Sequence, residues 1–537
     1  MIHHNELKQG IPKTHWEAYK GPDRDIWHAA EKREIALLDK YEAYELVDLP
    51  ADYQPIRTKM VYEIKKGLPC ARFCAKGFEQ RPGIDYEGTW APVVSVQSMR
   101  MFFALAASYD LDIQQMDVSR AFLNSPIDKE IYVLPPIHHG YGNKVFKLKK
   151  AIPGLKQSGM LWHKEIDKTL TETGLAGLKA DPCVYTNTRP LDDPDFIAIL
   201  LTVDDLMIIS QSQEAIASMK QYLMQSYVMK DMGAVTKCCG FEIVRDKEKR
   251  SIRMSQGSYT MDILEWAAHI TKWQLKEETS PIIPHLKLSP STEMAEEEDI
   301  KQYQKAIGYL HYLVMGTRPD IAFATSILSA FVNNPDATHW RALGRIYGYI
   351  MATKYKFIEY KRGDWKPIGY SDANHGGDVT DNMMIPPRSF GSFMFMSASG
   401  AIGWSTKRQI RTAITSFDSE AIALLKATSE AKYLHQYYSE LGLAVGPIQI
   451  NCDNNSILLA VKAPKHKVTK TVNIAYWAIK EHIEDMIIKL QHIPSATNQA
   501  DALTKALTGP KLSKLAEKMG LQQEVRNLQK DDTGNGP

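Results

Sequence analysis

The 537 residues combine 44% apolar with 24% charged side chains, and 65 Lys and Arg against 63 Asp and Glu leave a formal net charge of +2. A chain of this length holds about three to four domains, each able to bury its own core, which excludes a disordered chain, a collagen and a small disulfide scaffold. A near-zero balance gives no sign of the basic excess usual in a nucleic-acid-binding domain, so charge has to be read window by window.

Residues 1–45 read as a polar leader without the apolar core of a secretory signal, then a helix in which Trp27, Ala30, Ile35, Leu38 and Tyr41 recur at helical spacing. Residues 56–81 alternate strand-like pieces with Arg57, Lys59, Lys65, Lys66, Arg72, Lys76 and Arg81, opposed only by Glu63 and Glu79, so the basic charge is local. An apolar helix from Arg100 to Tyr109 leads into a strand, Ile113 to Val118, and an amphipathic helix is expected over Trp162 to Thr173. Phe196 to Ser210 is two apolar runs broken by Asp204 and Asp205, a hairpin signal too short and too charged to span a bilayer, and no membrane association is expected. Ser280 to Pro290 and the acidic run 296–299 read as a linker, and helical patterning resumes from Tyr303 to Thr353. After Gly363 come strands at Pro367 to Ser371, Ser389 to Ser397 and Ala401 to Ser405, a helix from Ser419 to Leu441 and a strand from Ile448 to Cys452. Residues 511–537 are polar and are expected to be disordered.

The six cysteines, Cys70, Cys74, Cys183, Cys238, Cys239 and Cys452, are too scattered for a disulfide framework and suggest a reducing compartment. Cys70 and Cys74 lack a second Cys/His pair at finger-like spacing, so no zinc site is assigned.

Two groups of carboxylates carry the chemistry. Asp117 lies on one apolar strand, and Asp204 with Asp205 sits between two others. An acidic pair at the junction of buried strands is either a solvated hairpin tip or a site whose charge a metal ion neutralises. Converging with Asp117, the pair forms a hard-oxygen site for Mg²⁺, and two such ions about 4 Å apart serve nucleotidyl transfer. Farther on, Asp372, Glu420, Asp453 and Asp501 each stand at the end of a separate element. Singly they read as strand-end turn formers or helix-start acids; together they are what a two-metal nuclease needs.

The run Gln114-Gln-Met-Asp-Val-Ser-Arg-Ala-Phe-Leu-Asn124, then Val145-Phe-Lys-Leu-Lys-Lys-Ala-Ile-Pro-Gly-Leu-Lys-Gln157 and Thr202-Val-Asp-Asp205, resembles the reverse transcriptase of copia-type LTR retrotransposons. Arg72 to Gln80, Ala91 to Val94, Thr317-Arg-Pro-Asp-Ile321 and His339-Trp340 follow the same pattern in order, and the likeness spans roughly residues 15–510. The spacing of the second carboxylate group resembles the RNase H domain that follows that polymerase.

The resemblance implies a multidomain α+β and α/β chain: a leader and helix (1–45), a right-hand polymerase of fingers, palm and thumb (46–280), a linker and helical connection (281–362), an RNase H-like domain (363–510) and the tail (511–537). It implies an RNA-directed DNA polymerase with RNase H that copies a retroelement transcript, recognising A-form geometry and phosphates over base edges. Asp117 and Asp204 become metal ligands beside Asp205, and Asp372, Glu420, Asp453 and Asp501 the nuclease ligands, with two Mg²⁺ per site and Mn²⁺ as a substitute. Arg72 and Lys76 are expected at the triphosphate, Phe122 under the incoming sugar, Lys156 near the template, and Lys407, Arg408, His466 and Lys470 along the hybrid backbone. The implied partners are RNA template, DNA primer, RNA–DNA hybrid, deoxynucleoside triphosphates, and integrase and capsid of the same element, in cytoplasmic virus-like particles with the nucleus as an alternative.

The chain departs from that pattern at several points. Thr202 and Pro153 stand where the family has tyrosines, Gly159 replaces a proline, Thr471 and Asn473 replace His and Asp, and Asp418 replaces Glu. Together with a start that lacks protease and integrase, these leave a second reading open: a truncated, decayed or co-opted remnant that binds nucleic acid without efficient polymerisation.

Overall fold

The computed structural model describes residues 10–65, 67–137, 139–376, 388–410, 412–462 and 473–524. The N-terminal helix, Arg24–Lys40, buries Trp27, Ala30, Ile35 and Leu38 against the strand Leu68–Ala75, which pairs antiparallel with Thr58–Lys65. Glu31 and Glu34 share that buried face, which the apolar spacing alone does not anticipate. Glu31 accepts the Tyr62 hydroxyl and meets His15 Nδ1 and His139 Nε2, each at 2.9 Å. Glu34 accepts the Phe73 N–H at 3.0 Å and pairs with Arg120. Each buried carboxylate is thus matched by groups from other segments.

The palm is a six-stranded sheet whose centre holds Asp112–Val118, Asp205–Ser210 and Ala198–Leu201 as antiparallel neighbours. Residues 198–201 and 206–210 are fully buried, as continuous apolar strands covered on both faces must be. The helix Val96–Tyr109, capped by Ser95, is buried along nearly its whole length. Such all-round burial requires a second layer beyond the palm, and the C-terminal domain supplies it.

That domain has a five-stranded mixed sheet. Ile368–Asn374 is central, antiparallel to Phe390–Ser397, which pairs with Gly400–Arg408, and parallel on its other side to Ile448–Cys452, which pairs with Ile488–His492. The long helix Ser416–Glu440 packs on this sheet, and its buried Tyr437 meets Phe102 of the palm helix with ring centroids 6.5 Å apart. The apolar cores of palm and C-terminal domain are continuous.

Between them, helices Glu297–Gly316, Ala322–Leu328 and Ala337–Ala352 form a second core. A further sheet takes Phe241–Asp246 and Ser251–Ser255 from the polymerase region, Lys356–Lys361 from the connection and Leu521–Gln523 from the chain's last described residues. The expected disorder after residue 511 therefore does not hold for 511–524. Leu512, Leu515, Ala516 and Met519 recur at helical spacing, bury one face of helix Gly509–Lys518, and lead into that strand. Residues 525–537 lie outside the described residues. No helix among the described residues is long and apolar enough to cross a membrane.

Candidate active sites

The first site is built by strand register. Asp205 lies directly opposite Asp117, and the Val118 N–H donates to the Asp204 carbonyl at 2.7 Å, so the hairpin tip sits beside the end of the Asp117 strand. Gln115, on the same face two residues earlier, donates its amide to Asp205 Oδ1 at 3.0 Å. Asp204 is reached by solvent at the tip, yet protein crowds it enough that desolvation is the largest push on its carboxyl. Burial and the charges of Asp205 and Asp117 raise it, with Arg72 and Lys65 opposing. Burial and Asp117 likewise raise Asp205. An acidic pair raised by burial and by neighbouring negative charge fits a site for added positive charge.

In front of them lies a cavity of about 250 Å³. Asp117, Asp204, Arg72 and Phe122 line it, together with Lys65, Arg120 and Lys230, whose place in the site the sequence reading left unassigned. Lys230 is there because the strand Met229–Ala234 pairs with Asp112–Val118 in a register that sets it opposite Asp117. Phe122 stands in the short helical turn Ala121–Asn124, entered through Arg120 at φ 56°.

Lys76 departs from its expected place. It ends the fingers hairpin, its N–H donates to the Arg57 carbonyl at 2.8 Å, and its charge acts on Glu79; it is not among the cavity-lining residues. Lys156 is exposed, and its N–H donates to Gln80 Oε1 at 2.7 Å. The loop before it is pressed on the hairpin: the Ala75 N–H donates to the Pro153 carbonyl at 2.8 Å, and a Cβ on Gly154, at φ +94°, would overlap the Ala75 carbonyl. Pro153 lines the cavity where the family pattern has tyrosine. Thr202 closes its own turn, its hydroxyl donating to the Asp205 carbonyl at 2.8 Å and accepting the Asp205 N–H at 3.2 Å.

The second site is more deeply set: Asp372, Glu420 and Asp501 are buried and Asp453 is half-buried. Asp372, on the central strand, and Asp501, in the helical turn Gln499–Leu503, bring carboxylate oxygens within 4.8 Å of Asp453, which also groups with Glu420. Asn498 donates to the Ser371 carbonyl at 3.0 Å and the Ser392 hydroxyl to the Ala500 carbonyl at 3.3 Å, which pins the Asp501 turn to the sheet. Gln409 fixes the Glu420 end of the long helix by donating to the Ser419 carbonyl at 2.8 Å. Asp418, two residues before Glu420, is held in a capping box with Thr415.

Burial, then the charges of Asp372 and Asp453, push Glu420 up to about 9, and its Oε2 is buried with no hydrogen-bond partner. Asp372 is raised chiefly by burial, although the Thr504 hydroxyl donates to it. Lys505 reaches Asp501 at 2.6 Å and Asp372 at 3.3 Å, a cation among the acids. Four carboxylates and an orphaned buried oxygen fit hard divalent cations. Cys452, beside Glu420, is pushed up to about 12 by burial and stays a thiol, so oxygen chemistry dominates. Lys407 is exposed and Arg408 half-buried at the end of the third strand, while His466 and Lys470 lie outside the described residues.

A palm sheet with carboxylates at a hairpin tip, followed by a helical connection and an α/β sheet with four acids, defines a right-hand polymerase joined to an RNase H-like domain. Residues 41–284 match the family model described as reverse transcriptase (RNA-dependent DNA polymerase). The retrovirus-related Pol polyprotein from transposon TNT 1-94 of Nicotiana tabacum is 33% identical over 525 residues, 95% of this chain and 39% of that protein. A putative transposon Ty5-1 protein of Saccharomyces cerevisiae is 30% identical over 311 residues, 55% of this chain and 92% of its own length. A foamy viral protease-reverse transcriptase solved in complex with dsDNA superposes with a TM-score of 0.51 at 15% identity, covering 87% of this chain and 83% of that one. The chain belongs to the copia-type retrotransposon Pol family, of which it carries the reverse transcriptase and RNase H-like portion. It spans about 39% of the length of the TNT 1-94 polyprotein.

Proposed function

We propose that the protein is an RNA-directed DNA polymerase that copies retroelement RNA and degrades the RNA strand of the resulting hybrid. The observation that carries this reading is the pairing of Asp117 with the Asp204–Asp205 tip at the mouth of a cavity lined by Lys65, Arg72, Arg120 and Lys230. Asp117 and Asp204 would hold Mg²⁺, or Mn²⁺ in its place, and bound there the ions lower the pKa of the primer hydroxyl and stabilise the leaving pyrophosphate. Arg72, Lys65 and Lys230 draw a deoxynucleoside triphosphate by charge, and Gln115 orients Asp205. Phe122 fills the space a 2′-hydroxyl needs. Lys156 serves the template side of the fingers.

In the C-terminal site Asp372, Glu420, Asp453 and Asp501 would hold the ions for phosphodiester hydrolysis, with Glu420 giving up its proton as positive charge arrives. Lys407, Arg408, His466 and Lys470 follow the hybrid backbone through sequence-independent contacts. RNA template, DNA primer and RNA–DNA hybrid are the macromolecular substrates. Integrase and capsid of the same element are the partners, in a cytoplasmic particle.

The test is primer extension on a homopolymeric RNA template, with hybrid cleavage measured in parallel. Asp204→Asn abolishes extension and spares cleavage; loss of both activities refutes two independent sites. Hybrid binding without extension in either metal refutes the polymerase reading in favour of a nucleic-acid-binding remnant, for which the replacements at Thr202 and Pro153 are the motive.

A further inference from the structure

Helix Glu297–Gly316 of the connection ends with carbonyls that have no intrahelical partner, and two other domains reach in to satisfy three of them. Arg100 of the palm helix donates Nη1 to the Met315 and Gly316 carbonyls at 2.7 and 2.8 Å. Its Nε donates to the Ile402 carbonyl of the RNase H-like sheet at 2.9 Å. Trp404, on that same strand, donates its indole N–H to the Val314 carbonyl at 2.9 Å and lays its ring 4.0 Å from the Arg100 guanidinium. Arg100 is buried, and a guanidinium at a helix C-terminus is stabilised by the dipole while its planar fork spans acceptors on two separate elements. At the rim, Gln97, one turn earlier, donates to Glu430 on the long RNase H-like helix at 2.5 Å. Farther out, the Ala180 N–H donates to Glu440 at 3.0 Å.

Nothing in nucleotidyl transfer or hydrolysis calls for a buried arginine at this place. It lies where palm, connection and RNase H-like domain meet, and each of its hydrogen bonds crosses a domain boundary. We infer that Arg100 is a positioning residue that fixes the RNase H-like site at a constant distance from the polymerase site, so that RNA is cut at a set number of nucleotides behind the primer terminus. The inference rests on the proposed polymerase and nuclease reading.

The experiment uses the full chain, an end-labelled RNA template and a set of DNA primers whose 3′ ends differ by single nucleotides. In the wild type one dominant cut moves in step with the primer terminus. Arg100→Lys keeps the charge but replaces the fork with one ammonium that cannot span Ile402, Met315 and Gly316; Gln97→Ala loosens the rim. Both are expected to lose the dominant position to a spread of neighbouring cuts, while primer extension and cleavage of a long hybrid without a recessed primer are unchanged. An unaltered dominant cut in both active variants overturns the inference, and if Arg100→Lys does not fold, Gln97→Ala decides alone. If the wild type neither extends nor cleaves, the functional reading fails and calorimetry judges the junction. One cooperative transition in the wild type that splits in Gln97→Ala supports it; the same number of transitions in both overturns it.

Discussion

Asp320 offers the largest single stability effect that the structure allows to be worked out. It belongs to Thr317-Arg-Pro-Asp-Ile321, and its side chain is wholly buried. It accepts hydrogen bonds from Arg318 Nε and Nη2 at 2.8 and 2.9 Å, from the Tyr349 hydroxyl at 2.8 Å and from Lys356 at 3.2 Å. Asp320→Asn removes the one anion and leaves two buried cations facing an amide. Breaking a buried ion pair by removing one partner costs about 3–5 kcal/mol, a large part of a domain's margin of about 5–15 kcal/mol. At about 2–4 °C per kcal/mol for a unit of this size, the melting point falls by roughly 6–20 °C. Burial alone would raise the Asp320 carboxyl, but Arg318 and Lys356 outweigh it and hold the group well below the usual carboxylate range. A depressed carboxyl stabilises the folded state above the free-aspartate pKa of about 3.9, and the contribution is lost as pH falls toward the folded value. The gap between wild type and variant is therefore full at pH 7 and narrows only under acid. Urea unfolding at pH 7 and pH 3, followed by tryptophan fluorescence, measures it. A loss below about 1 kcal/mol at pH 7, the scale of an exposed pair, would refute the reasoning.

Glu420→Gln is expected to stabilise the protein in EDTA at pH 7 while eliminating hybrid cleavage. With the carboxyl at about 9 in the folded chain and about 4.5 unfolded, holding its proton at pH 7 costs about 3 kcal/mol. That cost grows as pH rises from the unfolded to the folded value, so the gain from Gln vanishes near pH 4.5. A pH-independent difference in denaturation midpoints would contradict it. Phe122→Val opens the space under the sugar, and incorporation of ribonucleotides relative to deoxynucleotides should rise by about 10-fold or more in single-nucleotide extension, with dNTP extension retained. Gly154→Ala drives a Cβ into the Ala75 carbonyl from a left-handed conformation and should cost about 1–3 kcal/mol in thermal unfolding, with the fingers opening first under proteolysis.

Much of the first site was legible because two apolar runs around an acidic pair admit few structures, and the hairpin forms with Asp204 and Asp205 at its tip. The helix over residues 24–40 was equally readable, but its two buried acids were not. The partners of Glu31 lie 16, 31 and 108 residues away, and Arg120 lies 86 from Glu34, so no local window contains the groups that make their burial tolerable. The last helix was hidden by Lys511, Lys514 and Lys518 on its exposed face, although Leu512, Leu515 and Met519 kept the period. Thr202 looked like the loss of an aromatic, whereas its hydroxyl closes the Asp204–Asp205 turn from both sides. Lys230 could be placed only by pairing register, since 113 residues separate it from the aspartate it faces.

The charge balance takes on a different meaning once the two sites are set side by side. At the palm site the counter-charges, Lys65, Arg72, Arg120 and Lys230, line an open cavity, where an incoming polyanion can reach them. At the C-terminal site the compensating charge is Lys505, clamped between Asp372 and Asp501, with Lys511 3.4 Å from Asp501. An open site of this kind recruits its substrate by long-range charge, which salt screens. A site whose acids are already partly neutralised, with Glu420 pushed up by burial, would have to exchange internal charge for metal before it could act. Extension should therefore weaken first with rising salt, and cleavage first with falling pH or metal concentration. A net charge of +2 thus averages over windows as unlike as these, one presenting cations outward and the other burying anions with a lysine among them.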